Sequence, residues 1–292
     1  MVKEIYVKTV LNKHKKRDKW FLDDYSLNPY KNCEFNCHYC YIHASNYGRN
    51  VGEVLAVKIN APTVLAKQLS RRARKGEYGY IALSSATEPW MYIEEKYKVT
   101  RKCLEVIAHY KFPVHCLTKS TLILRDLDLL TVIDREAKLP PDLQKEPGRG
   151  ILITYSFSTL DEENARTFEP NAPAPRERLN TIQKLREEGF LVGIAYMPIL
   201  PYITDTLEEL EEMVKTAKEV DAQYLFFSPL TYPGKRLLTI LQKHYPQLVN
   251  KYKLLYKGKW LPNKQYNNQF YKKVTQLCKK HKIKIGIKPI KL

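Results

Sequence analysis

The stretch Asn28-Pro29-Tyr30-Lys31-Asn32-Cys33-Glu34-Phe35-Asn36-Cys37-His38-Tyr39-Cys40-Tyr41 carries three cysteines at the spacing Cys-x3-Cys-x2-Cys. A 4Fe–4S cluster has four irons and normally takes four thiolates. A compact loop that offers three therefore leaves one iron open to an outside ligand, and an open iron points to chemistry rather than electron storage. Zinc held by the three cysteines with His38 or His43 is the alternative, since zinc accepts three Cys and one His, although zinc loops usually present two separated pairs. A disulfide framework would need export, and Met1-Val2-Lys3-Glu4 leads into no apolar signal segment. Cys103 and Cys278 stand singly among apolar residues and read as small buried hydrophobes.

Outward from this loop, short β-rich runs alternate with amphipathic stretches. Residues 79–84, 112–118, 150–157, 190–196 and 223–228 are continuous apolar runs bounded by turns, the pattern of buried parallel strands. Between them the spacing predicts helices over 62–75, 97–110, 122–135, 176–188 and 206–220, with Asn60 and Asp205 as caps. With a strand just before the cysteine loop, this makes six βα units in an α/β fold, whose period demands parallel pairing through right-handed crossovers. Residues 136–150, rich in Pro and Lys, read as a surface insertion.

The charge is unevenly placed. Between Thr231 and Leu292 stand sixteen Lys and Arg and no Asp or Glu, so +16 of the chain's +18 lies in this segment. Tyr232, Tyr245, Tyr252, Tyr256, Trp260, Tyr266, Phe270 and Tyr271 are interleaved with the cations. Cations that neutralise phosphates beside rings that stack on bases are what a nucleic-acid groove needs. Phe270, Val274, Leu277 and His281 recur at helical spacing, so part of the segment is a core stripe. A second basic cluster runs from Lys13 to Trp20. No apolar run reaches the roughly 18 residues of a membrane span, and a cytoplasmic location is expected.

The Cys-x3-Cys-x2-Cys triplet with Tyr39 before its last cysteine resembles radical S-adenosylmethionine (SAM) enzymes. The resemblance sharpens toward their spore photoproduct lyase-like branch. It rests on Asn28-Pro29-Tyr30, Tyr39-Cys40-Tyr41, Ser84-Ser85-Ala86-Thr87-Glu88-Pro89-Trp90, Thr100-Arg101, Leu117-Thr118-Lys119-Ser120, Arg125-Asp126-Leu127-Asp128 and Phe168-Glu169-Pro170, together with Arg178-Leu179. It implies a partial (β/α)6 TIM-type barrel over 25–229, after a basic arm at 1–24 and before a basic, mainly helical C-terminal extension at 230–292. It also implies a 4Fe–4S cluster on Cys33, Cys37 and Cys40, SAM on the open iron, and an electron donor such as ferredoxin or flavodoxin.

In that family the substrate and cofactor groups stand at the C-terminal strand ends. The resemblance thus assigns Tyr39, Ser84, Ser85, Thr87 and Glu88 to the cofactor, where related enzymes carry a Gly-Gly-Glu stretch, and Lys119 to the SAM carboxylate. Ser156 and Ser158 are expected at the ribose or carboxylate, with turn capping as their other reading, and Tyr196 at the adenine or in the core. The lyases' hydrogen-returning cysteine has no counterpart in Ser84–Thr87; either the chain does not split thymine dimers, or a tyrosine such as Tyr39, Tyr41 or Tyr92 takes that role, with Cys116 on the neighbouring strand as a further candidate. Glu169 and Arg178 are expected either as a structural pair or on the substrate, and Lys257, Lys259, Lys272 and Lys273 on a nucleic acid, DNA or tRNA. The expected activity is hydrogen abstraction from that nucleic acid by a monomeric enzyme of lyase or transferase type. A small-molecule or peptide substrate is the rival reading, and a zinc-containing nucleic-acid-binding module the rival of another class.

Overall fold

The computed structural model describes residues 2–44 and 54–288. Ten strands occur among them: β1 (Lys3–Ile5), β2 (Leu11–Lys13), β3 (Asp23–Leu27), β4 (Tyr30–Lys31), β5 (Ala56–Lys58), β6 (Tyr80–Leu83), β7 (Val114–Thr118), β8 (Ile151–Phe157), β9 (Leu191–Ile199) and β10 (Leu225–Pro229). The main sheet has the order β10-β9-β8-β7-β6-β3-β2, and a small sheet the order β1-β5-β4. Strands β3, β6, β7, β8, β9 and β10 thus lie side by side in chain order, as six successive βα units require. Parallel registers run through Leu27↔Leu83, Leu83↔Cys116 and Phe226↔Ala195. On the outer side, β2 pairs antiparallel with β3. The strands form where the apolar runs are continuous: all four residues of β6 are buried, as are six of the seven in β8.

The chain divides into two compact units, the first comprising Met1–Glu34, Glu53–Thr154 and Lys184–Val192, the second Phe35–Gly52, Tyr155–Gln183 and Gly193–Leu292. In the first unit, helix Ala61–Arg74 buries Ala61, Leu65 and Leu69, one residue per turn. The stretch expected as one helix over 97–110 is broken. Lys98 adopts a left-handed conformation, φ 52°, between Glu94–Tyr97 and Val99–Tyr110. The cause is Glu94, whose buried carboxylate accepts the backbone N–H groups of Thr100 (3.0 Å) and Arg101 (3.2 Å) and so caps the second helix. The expected helix over 122–135 likewise begins as a 3-10 turn, Thr121–Asp126, before Leu127–Glu136. Neither predicted cap functions as one. Asn60 spends its amide on the backbone of Val7, and Thr206 rather than Asp205 caps Leu207–Glu219.

In the second unit, Gly193 permits β9 to pass the ring of Tyr224, since a Cβ there would fall 2.2 Å from it. Helices Lys235–His244 and Pro246–Tyr256 share one apolar cluster with Tyr39, Phe168, Leu200 and Leu230. The C-terminal segment is therefore part of this unit's core rather than an appendage to it. Beyond helix Lys264–Lys280, Ile285 bridges Leu225 in parallel, with Leu225 N–H donating to Lys284 and Gly286 N–H to Leu225, both at 2.9 Å. This contact covers the backbone of Leu225, where β10 begins.

Candidate active site

The cysteine loop turns on two left-handed asparagines, Asn32 (φ 70°) and Asn36 (φ 52°), a conformation that asparagine tolerates well. Cys33 N–H donates to the Asn32 amide oxygen, and Cys40 N–H to Cys37 carbonyl at 3.2 Å. A short helix, Tyr41–Ala44, follows. Cys33, Cys37 and Cys40 are half-buried, whereas Cys103, Cys116 and Cys278 are buried. Three soft, uncrosslinked donors on one short loop fit the iron–sulfur group. Among the described residues no three His, Cys, Asp or Glu side chains are grouped to hold a single metal ion; a cubane cluster instead takes one thiolate per iron.

Within the second unit, the loop is fastened to a buried polar network. His38 N–H donates to Phe168 carbonyl (2.9 Å), and the Tyr39 hydroxyl donates to Glu169. Glu169 also accepts from Ser158 hydroxyl (2.9 Å) and from Arg178, whose other N–H groups reach Pro173 carbonyl (2.7 Å) and Ser156 carbonyl (3.1 Å). The Glu169 and Arg178 side chains are 1% and 0% exposed. The pair is structural here, with its charges spent on each other and on the loop, so the substrate reading of these two residues is corrected. Burial, then Cys37 and Glu169, push the Tyr39 phenol well above its ordinary value and keep it a donor. Ser158 is likewise absorbed by Glu169. Ser156 donates to Met197 carbonyl at 3.1 Å. Tyr196 is buried with its hydroxyl on Thr204 carbonyl (3.1 Å) and its ring edge-on to Phe227, which places it in the core rather than at an adenine.

Within the first unit, Ser84 follows the end of β6 in a left-handed conformation, φ 64°, with its N–H on Leu27 carbonyl at 2.8 Å. Its hydroxyl is buried and has no hydrogen-bond partner among the described residues. A buried polar atom left unpaired is costly, so this hydroxyl fits a ligand bearing an ammonium or hydroxyl group. Glu88 is buried and accepts from Thr118 hydroxyl (2.6 Å), Trp90 N–H (3.1 Å) and Lys119 N–H (2.9 Å). It ties the ends of β6 and β7 together, and burial raises its carboxyl above the usual range. The Thr87 hydroxyl (3.5 Å) and Ala86 N–H (3.1 Å) converge on the Asn28 amide oxygen. Lys119 is half-buried just past β7, and Ser85 lines an open groove with residues of the N-terminal arm.

The residues proposed to return the hydrogen atom differ in access: Tyr41 is 48% and Tyr92 55% exposed, while Cys116 is fully buried, its thiol pushed up by burial and by the Asp126 and Glu88 carboxylates. Lys257, Lys259, Lys272 and Lys273 are exposed. Of the interleaved rings, Tyr252, Tyr256 and Phe270 are core, whereas Trp260 is 52% exposed and tilts on Tyr232.

Sequence reasoning missed the buried charges of the first unit. Glu94 accepts from Tyr30 and Arg125, and Asp126 from Trp90 Nε1 (2.8 Å), Arg101 (2.9 Å) and Arg125 (2.7 Å). The motifs Thr100-Arg101 and Arg125-Asp126 were the visible trace of this network.

The family model of the Radical SAM superfamily matches residues 27–217, more than half of the chain. An uncharacterized protein of Mycobacterium tuberculosis is 28% identical over 269 residues, covering 89% of this chain and 75% of that protein. A radical SAM Nalpha-GlyT isomerase of Pseudomonas phage M6 is 24% identical over 174 residues, 59% of this chain and 32% of the isomerase. Among solved structures, a spore photoproduct lyase variant with bound AdoMet and dinucleoside spore photoproduct superposes with a TM-score of 0.67, over 96% of this chain and 78% of that one at 14% identity, a likeness of fold. The chain belongs to the Radical SAM superfamily, and its cofactors are accordingly a 4Fe–4S cluster and SAM.

Proposed function

We propose that this radical SAM enzyme abstracts a carbon-bound hydrogen from a nucleic acid, with an electron supplied by a small donor of ferredoxin or flavodoxin type. The observation that carries the substrate class is electrostatic. Lys257, Lys259, Lys272 and Lys273 are exposed and meet no carboxylate among the described residues, in a segment that contains none. Unmatched cations in a segment that also exposes Trp260 favour phosphates and a base. The solved spore photoproduct lyase with its bound dinucleoside photoproduct is consistent with this reading.

When bound, the cluster and SAM together supply a carbon radical; the protein's share is to hold and orient. Cys33, Cys37 and Cys40 would hold three irons. The network from Tyr39 to Arg178 keeps the loop in place, and the unpaired Ser84 hydroxyl and the Lys119 ammonium would meet the polar groups of SAM's methionine end. Glu88 acts through Thr118 and the Lys119 backbone as a positioning residue.

Fluorescence anisotropy with duplex DNA, single-stranded DNA and tRNA at two salt concentrations tests the substrate class, alongside SAM titration and 5′-deoxyadenosine formation after anaerobic reconstitution. The expected result is salt-dependent binding of at least one nucleic acid, weakened in the Lys272→Gln/Lys273→Gln variant without change in uncoupled SAM cleavage. Lys119→Ala should weaken SAM binding by about 1.5–3 kcal/mol, the worth of a charge-assisted bond, with iron content unaltered. No binding to any of the three nucleic acids would favour the small-molecule or peptide substrate.

A further inference from the structure

The loop joining β2 to β3 is a built element. Its ends are closed by His14 N–H on Asp24 carbonyl (2.8 Å) and Asp18 N–H on Asp23 carbonyl (3.2 Å). At its tip the Asp18 carboxylate accepts both Trp20 and Phe21 N–H at 2.7 Å. Phe21 is fastened further, its carbonyl accepting from His115 at 2.8 Å and its ring lying 5.6 Å from the imidazole. The loop and Ser85 line an open groove of about 590 Å³, whose walls carry the cations His14, Lys16, Arg17 and Lys19, the rings of Trp20 and Phe21, and the carboxylates Asp18 and Asp23, the first held by the Trp20 and Phe21 N–H groups and the second by His14. That size is within the roughly 300–1,000 Å³ of small-ligand sites.

The cations of the groove are of two kinds. Arg17 is spent on Asp24 and Asp142, and His14 on Asp23 at 3.1 Å. Lys16 and Lys19 are exposed and meet no carboxylate among the described residues. An anchored loop whose arginine is neutralised by Asp24 and Asp142 yet whose two lysines on either side of Arg17, beside an indole, stay unmatched presents charge to an anionic ligand with a flat face. Ser85 is the neighbour of Ser84, so a ligand in this groove lies next to the strand end where the cofactor is expected.

We propose that this groove is the first unit's binding site for the substrate strand, taking an unstacked nucleotide of a single-stranded stretch with its base on Trp20 and adjoining phosphates on Lys16 and Lys19. The proposal rests on the nucleic-acid reading above and assigns that substrate a second contact surface besides the C-terminal lysines.

The test is anisotropy with a fluorescein-labelled single-stranded oligodeoxynucleotide on the full-length reconstituted protein, comparing wild type, Lys16→Gln/Lys19→Gln and Lys272→Gln/Lys273→Gln. Both lysines are exposed and unpaired, so the first double variant keeps its melting temperature and cluster. Affinity should fall about tenfold in it, and the log–log salt slope by roughly 0.7 for each lost phosphate contact. In a Trp260→Phe background, the oligonucleotide should quench Trp20 fluorescence, and Trp20→Phe should remove the quench. Unchanged affinity and slope in Lys16→Gln/Lys19→Gln, with loss in the C-terminal variant, overturn the groove and leave the nucleic-acid reading standing. Loss of SAM binding in the arm variant also overturns it, by giving the groove to the cofactor. A wild-type protein that binds no oligonucleotide overturns both.

Discussion

His115 shows how one side chain can be settled by its surroundings. It is fully buried on β7 between Phe21 carbonyl and Thr154 hydroxyl, at 2.8 and 2.6 Å. A carbonyl only accepts, so Nδ1 carries the proton and Nε2 takes the threonine's hydrogen. Burial depresses the imidazolium from 6.5 to about 4. The unfolded chain therefore takes up a proton first: the stability tied to His115 is whole above pH 6.5 and declines as pH falls from 6.5 to 4, by about 3 kcal/mol at the low end. Asp23, raised by burial to about 6, pulls the other way, adding stability as pH falls from 6 toward 3.8. A comparison isolates the histidine: melting temperatures from pH 7 to 4 should drop more steeply in wild type than in His115→Gln, which keeps a donor and an acceptor. Parallel curves would show that His115 does not drive acid lability.

At the level of elements, the strand ends are tied by carboxylates and the last strand by the C-terminus. Residues 284–286 bridge β10 at Leu225, with Gly286 and Ile287 buried. A chain ending at Lys282 would bare the Leu225 backbone next to the apolar Phe226 and Phe227, and uncovered edges of apolar strands pair with other chains. Such a truncation should keep its helix content by circular dichroism yet scatter light increasingly with concentration, whereas Lys284→Gln should not. A truncated protein that stays monomeric in sedimentation would mean that β10 needs no cover. For the same reason, deleting the whole segment after Thr231 removes core along with charge, and point substitutions are the cleaner probe of nucleic-acid binding.

For the whole molecule, the cores of both units consist of the chain's own side chains. The cysteine loop adds Phe35 and Tyr39 to them, while its thiols stay half-buried. Removing iron by anaerobic chelation should therefore abolish colour and SAM cleavage but preserve far-UV circular dichroism and shift the melting temperature by only a few degrees. Collapse to an unfolded chain on chelation, as in a zinc-dependent domain, would contradict this. No helix among the described residues is long and apolar enough to cross a membrane.

The six βα units were legible in the sequence because buried parallel strands must be continuously apolar and helices between them amphipathic, so period alone separates them. The cysteine triplet was legible because ligand spacing is a local property. The fates of Glu94, Glu169 and Arg178 were not. A charged residue looks the same in sequence whether it faces solvent or a partner distant along the chain, and only folding decides that Glu94 caps a helix and Arg178 lies buried on Glu169. The same holds for the basic segment's rings. Tyr252 and Trp260 are eight residues apart in one cationic stretch, yet packing buries the first completely and leaves the second half exposed. Composition determined that this segment would be positively charged; tertiary packing decided which of its rings remain accessible to a ligand, because burial depends on what lies across the helix and not on what lies next along the chain.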